Sequence, residues 1–353
     1  MPNARGAPKP SATLIARTTG WRTAGQKDYD GARLRPRHSR TRAVKEEPVR
    51  AINEITITDA AVEQMSATPN PRLRQIMESL VRHLHSFARE VDLTPEEWLE
   101  GVRFLTAVGQ KCTPHRQEFI LLSDTLGLSA LVNALHDKRA AGAATKSSLL
   151  GPFYRQDAPM KKLGDSIISE TEGTEVVFYG RVIDSAGRGI PNALVQVWEP
   201  DETGNYDLQK HDPSVMDLRG CFHADAEGRY YFRGVCPTGY MIPMDGPVGD
   251  MIRAQKRHGY RPAHIHFVIG APGYTELVTA LYVAGDSHID SDTVFGVDES
   301  LVISLNKIDR ASPLPDLPSI HYDFRLAAAK GKMSGRVGAD PSQITSKVAE
   351  KGA

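Results

Sequence analysis

The spacing of apolar residues changes once along this chain, and that change limits what it can fold into. From about residue 56 to 140 they recur at steps of three and four; from about 174 to 327 they recur at steps of two. The first period is that of an amphipathic helix and the second that of a half-buried strand. In the first stretch Leu73, Ile76, Met77, Leu80, Leu84, Phe87 and Val91 mark one helix face, with Asn70 as N-cap and Pro71 at the first helical position. Thr94-Pro95-Glu96-Glu97 reads as a capping box opening a second helix through Trp98, Val102 and Leu105. Phe119 to Leu122 and Leu126 to Leu135 continue the helical pattern. In the second stretch GTEVVFYGRVID, NALVQVWEP, GRYYFRGV, AHIHFVIGAP, ELVTALYVAG, SLVISL and IHYDFRLA are short β-branched or aromatic runs, mostly separated by Gly, Pro, Asp and Asn. They predict an antiparallel sandwich, with a hairpin turn at Asp225-Ala226-Glu227-Gly228.

The expected fold class is therefore mixed α and β. An N-terminal helical domain over 51–147 precedes an antiparallel β-sandwich domain over 148–330, with Ala141 to Ser148 as a linker. Residues 1–50 hold 12 Lys and Arg against 4 Asp and Glu and lack a sustained apolar period, so they read as a disordered basic tail. No amphipathic helix emerges there, which favours a loose leader over a transit peptide. Residues 331–353, rich in Lys, Gly and Ser, read as a flexible tail. Over the whole chain 43 basic residues balance 43 acidic ones, which argues against a nucleic-acid partner. No apolar run approaches the ~18 residues of a membrane span. The cysteines, Cys112, Cys221 and Cys236, are few and form no CxxC pair, as suits a reducing, cytoplasmic setting.

The segment Arg261-Pro262-Ala263-His264-Ile265-His266-Phe267 carries the chemistry. On a strand, His264 and His266 share a face about 6.6 Å apart, and two imidazoles there can reach one cation. Alone, HxH is a weak signal, and most strand histidines are merely exposed or hydrogen-bonded. Cysteines and carboxylates are poorly placed to complete a shell, whereas Tyr206 and Tyr240 lie in turn-rich segments. A phenol binds metal only after losing its proton, which a trivalent hard cation can drive. Two phenolates, two neutral imidazoles and one hydroxide would balance Fe(III). That count cannot choose two tyrosines from eleven.

LLGPFY (149–154), VWEPDETGNYD (197–207), GYMIPMDGPVGD (239–250), RPAHIHF (261–267) and DSDTVFGVDESL (290–301) follow in one order. In that order they resemble the intradiol ring-cleaving dioxygenases of the catechol and hydroxyquinol type. NPRLRQIMESLVRHLHSFAREV and QEFILLSDTLG resemble that family's N-terminal domain, so the likeness covers roughly residues 55 to 327. The resemblance implies one Fe(III) per subunit, held by Tyr206, Tyr240, His264 and His266. It implies a catalytic Arg261 facing the substrate, and a Tyr240 phenolate that leaves the iron when the diol binds. The implied substrate pocket is Leu121, Asp124, Leu149, Gly151, Pro152, Phe153, Ile242, Pro243, Arg261 and Val294. Asp124 has two readings, acceptor for an extra ring hydroxyl or N-cap of a helix starting near Thr125. Tyr154 is expected to pack rather than to bind iron.

The resemblance implies cleavage of an aromatic diol or triol with O2 in aromatic catabolism. The helical text and DSDTVFGVDESL resemble the hydroxyquinol enzymes more than the catechol ones, and catechol or a substituted catechol is the runner-up substrate. Ala280 departs from the Gln of catechol-cleaving relatives, which leaves the surroundings of the ligands open. A homodimer through the helical domain is implied, with a phospholipid possible there. A non-enzymatic, transthyretin-like binding module and a zinc hydrolase built on HxH also fit parts of the pattern; a red-brown colour and oxygen uptake separate them from the ferric reading.

Overall fold

The computed structural model describes residues 51–113, 116–139, 144–210, 212 and 214–329. The expectations for the two tails, and for Ala141 to Ala143 of the linker, lie outside the described residues. The chain divides into two compact units, one ending at Phe87 and one beginning at Ala88.

In the first unit, α1 (Ile57–Glu63) meets α2 (Pro71–Glu90) through a hydrogen bond of 3.0 Å between Thr58 Oγ1 and His85 Nδ1. The α2 start follows its sequence signal: Asn70 Oδ1 accepts from the amides of Arg72 and Leu73, satisfying two of the free donors of the first turn. The apolar stripe Leu73, Ile76, Met77, Leu80, Leu84 and Phe87 is present, and all six side chains are exposed.

The second unit opens with α3 (Pro95–Lys111), whose capping box is complete. Glu97 N donates to Thr94 Oγ1, and Thr94 N donates to Glu97 Oε2. The helices α4 (Glu118–Thr125), α5 (Leu128–Arg139) and the later α6 (Pro247–Ala254) complete the helical part. Val108, Leu121, Leu122 and Val248 join Leu149, Ile242 and Val294 in one buried apolar cluster.

The strands are β1 (Glu175–Ile183), β2 (Leu194–Trp198), β3 (Arg219–His223), β4 (Arg229–Val235), β5 (Tyr240–Met241), β6 (Tyr260–Arg261), β7 (His264–Gly270), β8 (Leu277–Val283), β9 (Val302–Ile303), β10 (Ser319–His321) and β11 (Phe324–Arg325). One sheet is built on β1, paired with β4, β10 and β11; the other runs β3-β2-β7-β8-β9, and β5-β6 forms a separate ribbon. The longer pairings are antiparallel, as the alternation predicts, while the short β9, β10 and β11 join their neighbours in parallel. Between the sheets Phe178, Phe222, Phe232, Phe267 and Phe324 are buried, each stabilising by about 1.5–3 kcal/mol. Phe222 and Phe232 stack across the two sheets at 5.1 Å.

One expectation is corrected. Residues 225–228 do form a tight turn, closed by Gly228 N to Asp225 O and Asp225 N to Arg229 O. It is not a hairpin within a sheet, because β3 pairs with β2 and β4 with β1. The turn carries the chain from one sheet to the other, and its local chemistry is the same either way.

Candidate active site

Two histidines share the outer face of β7, opposite the sandwich core. Ile265, Phe267 and Ile269 point into the core, so the pleat turns His264 and His266 the other way. Register then supplies their neighbours. His264 pairs with Tyr282 and His266 with Ala280 on β8, and Trp198 on β2 pairs with His266 and stacks on it at 4.9 Å. The Nε2 atoms of His264 and His266 stand 3.2 Å apart.

The tyrosines arrive from loops. β2 ends at Trp198, and the segment after it is folded on Asp201, whose Oδ1 accepts from Thr203 N, Thr203 Oγ1 and Asn205 N. Gly204 takes φ +84°, and a Cβ there would strike Tyr240. That fold delivers Tyr206, fully buried and stacked on Phe153 at 4.6 Å. Its neighbour Asp207 forms a buried, two-pronged ion pair with Arg219, which also donates to the Phe153 carbonyl. One guanidinium thereby ties the phenol's segment to the ring packed against it. Tyr240 comes from the β5-β6 ribbon, where it lies opposite Arg261.

The four rings make a closed circuit. Centroid separations are 5.6 Å for Tyr206 and Tyr240, 5.3 Å for Tyr240 and His264, 4.8 Å for His264 and His266, and 6.3 Å for His266 and Tyr206. The phenol oxygens are 3.5 Å apart. His264 Nδ1 donates to the Pro262 carbonyl at 2.7 Å, which leaves the lone pair on Nε2, facing His266. Burial, then the charge of Arg261, pushes both imidazoles well below their ordinary range, so both stay neutral. The Leu149 carbonyl opposes this for His266, although its Nδ1 has no partner at hydrogen-bond geometry. Burial and Tyr240 push the Tyr206 phenol well above its ordinary range, against Arg261 and Arg219, so it keeps its proton until a cation displaces it.

This donor set fits a hard cation. Neighbouring ligands about 2.1 Å from a common centre stand about 3 Å apart, near the separations seen between the imidazole nitrogens and between the phenol oxygens. Among the described residues no group of three or more His, Cys, Asp and Glu could hold a metal, so phenols are needed to complete a shell here.

Beside the circuit lies a cavity bordered by Leu121, Asp124, Gly151, Pro152, Phe153, Tyr240, Ile242, Pro243, Arg261 and Val294. Gly151 borders it at φ +72°, with the His266 ring edge 3.4 Å from where a Cβ would stand. Leu149, expected on the wall, does not border the cavity; it belongs to the apolar cluster with Leu121, Ile242 and Val294. Asp124 is no N-cap, because α4 starts at Glu118 and Asp124 is its penultimate residue. Burial pushes its carboxyl up to about 6, against Ser129 and the charge of Arg261. Tyr154 packs edge-on against Trp198 at 5.2 Å and donates to Gln196 Oε1.

Arg261 is buried and donates through NH1 to His264 Nε2 at 2.8 Å. Its other edge meets Asp292 and Tyr282, neither of them singled out from the sequence. Tyr282 was within reach, since pairing the HxH strand with the next one sets a tyrosine opposite His264. Asp292, 31 residues from Arg261, left no local pattern.

A catechol dioxygenase N-terminus family matches residues 70–144, and a dioxygenase family matches residues 149–328. The 6-chlorohydroxyquinol 1,2-dioxygenase of Cupriavidus pinatubonensis is 46% identical over 246 residues, 70% of this chain and 89% of that one. The hydroxyquinol 1,2-dioxygenase of a Rhizobium species is 40% identical, covering 76% of this chain and 94% of its own. The catechol 1,2-dioxygenase of Candida albicans is 36% identical, covering 81% and 96%. The solved hydroxyquinol 1,2-dioxygenase of Pseudomonas putida superposes with a TM-score of 0.70 at 44% identity, over 78% of this chain and 99% of that one.

Proposed function

The chain belongs to the intradiol ring-cleaving dioxygenases, and from that membership we propose that it opens the ring of hydroxyquinol (benzene-1,2,4-triol) between its adjacent hydroxyl carbons, with O2 as oxidant and 3-hydroxy-cis,cis-muconate (tautomer maleylacetate) as product. The observation that carries the reading is the closed circuit of two phenols and two neutral imidazoles beside a cavity holding one carboxyl and one guanidinium.

Tyr206, Tyr240, His264 and His266 would hold one Fe(III). Iron bound there supplies an electron-withdrawing centre that activates the ring of the chelated diol toward dioxygen. The residues do the rest. Tyr240 borders the cavity while Tyr206 is enclosed, so with iron held Tyr240 would be the phenolate whose Oη is placed to take a diol proton. Tyr206 keeps its place through Phe153 and the Asp207–Arg219 pair. Phe153, Leu121, Ile242 and Val294 hold the ring in an apolar slot and exclude water. Asp124 accepts the hydroxyl that hydroxyquinol has and catechol lacks, and Arg261 faces negative charge developing on the ring and the incoming oxygen.

The exposed apolar stripe on α2 supports pairing of two copies through the helical segment, with a phospholipid as a second occupant of that face. A cytoplasmic location accords with three cysteines that are all unpaired. Oxygen uptake by the iron-loaded protein, measured with benzene-1,2,4-triol and with catechol, tests the reading. A red-brown protein with the higher kcat/KM for the triol supports it. A colourless protein that consumes no oxygen with either sinks it, and a preference for catechol moves the substrate to the runner-up.

A further inference from the structure

The donors of Arg261 can be accounted for almost completely. Nε–H goes to Asp292 Oδ1 at 3.2 Å; NH2 donates to Asp292 Oδ2 at 3.3 Å and to the Tyr282 hydroxyl at 3.2 Å. Ser148 Oγ donates to the Gly296 carbonyl at 3.0 Å and lies 2.8 Å from the Tyr282 hydroxyl. A serine has one hydroxyl proton, so Tyr282 is the donor to Ser148. Gly296 N donates back to Asp292 Oδ2 at 3.0 Å, which closes the ring of hydrogen bonds. Arg261, Asp292, Tyr282 and Ser148 are all buried. Gly296 is required where it stands, since a Cβ would sit 2.5 Å from the Tyr282 hydroxyl and 3.0 Å from Arg261 NH2.

Only NH1 is left over. It rests on the Nε2 lone pair of His264, the lone pair a cation would take. With that acceptor engaged elsewhere, a loose guanidinium would swing toward another oxygen. This one is clamped along its far edge and cannot.

We propose that Asp292 and Tyr282 are positioning residues, which hold Arg261 so that NH1 alone is offered to the bound diol. The proposal rests on the intradiol reading for its substrate. The clamp also joins three segments that border the cavity: Ser148 precedes Gly151 by three residues, Asp292 precedes Val294 by two, and Arg261 starts the run to His264. Asp292 compensates the buried charge of Arg261, which would otherwise stand unpaired.

The test uses the iron-loaded full chain. Tyr282→Phe is expected to lower kcat about tenfold and Asp292→Asn on the order of 100-fold, with KM changed less than kcat and the anaerobic affinity for benzene-1,2,4-triol retained. In an Arg261→Met background neither substitution should lower kcat further, because both act through Arg261. Equal fold-losses in the two backgrounds overturn the proposal. Should Asp292→Asn fail to fold, Tyr282→Phe carries the same comparison. Crystal structures of the wild type and the Tyr282→Phe variant decide independently of any activity. A guanidinium turned away from its wild-type orientation in the variant supports the clamp, and an unmoved one overturns it. A wild type that consumes no oxygen would defeat the intradiol reading while leaving this structural comparison intact.

Discussion

Gly204 lies directly against the Cβ of Tyr240, so the loop that delivers one phenol of the site closes only where it has no side chain of its own. The two tyrosines are 34 residues apart, yet the place of one depends on the bareness of the other's loop. Gly204 also sits at φ +84°, where a Cβ is disfavoured on its own account. Gly204→Ala is therefore expected to cost about 1–3 kcal/mol and to displace Tyr240. Denaturant unfolding and the visible band of the iron-loaded protein check it; an unshifted band would show that the contact does not place the phenol.

His264→Ala or Tyr206→Phe removes one donor from the proposed shell. Each variant should bind iron more weakly and lose the visible band together with oxygen uptake. Chelation of the wild type should do the same, reversed on adding iron. Metal content by elemental analysis, read beside activity, is the measurement. Full activity in a metal-free sample would end the ferric reading.

Asp124 gives a prediction with a sign. Its carboxyl is pushed up from 3.8 to about 6, so between those values the folded chain holds a proton that the unfolded chain has released. Its contribution to stability therefore falls as pH rises through that window. Its capacity to accept a hydrogen bond from a ring hydroxyl grows as pH passes 6. KM for hydroxyquinol is expected to fall across that step while KM for catechol stays flat. Asp124→Leu should remove the step and lower kcat/KM for the triol about 10- to 100-fold, the worth of about 1.5–3 kcal/mol.

Removing one partner of the buried Arg219–Asp207 pair leaves the other charge without compensation. Arg219→Met is expected to destabilise by about 3–5 kcal/mol in denaturant unfolding. The double change Arg219→Met with Asp207→Leu should recover part of that loss. A single variant as stable as the wild type would mean that the pair contributes nothing net.

The parts of the site legible in the sequence are those set by local period. HxH on a two-residue alternation puts both imidazoles on one face whatever surrounds the strand, and Asn70 and the Thr94 box start their helices as read. Tyr206 and Tyr240 carried no such signal, because a loop's path depends on distant partners such as Gly204 against Tyr240; only resemblance to a family singled them out. Asp292 and the Arg219–Asp207 pair were missed for the same reason, since buried ion pairs between separate segments have no spacing rule. Whether Leu149 forms the wall or its backing is a matter of depth, which sequence position does not encode. The turn at residues 225–228 was legible as a turn, but which sheets its flanking strands enter is settled by the core.

The imidazole half of the circuit is mounted on a central strand bonded on both sides, while the phenol half hangs from a loop and a two-residue ribbon. The two halves can thus change at different tempos. A lineage that remodels the loop alters the guests admitted and two of the four proposed donors together, while the imidazole pair stays fixed on its strand. The phenols therefore couple retention to selectivity, and only the imidazole pair is insulated from such change.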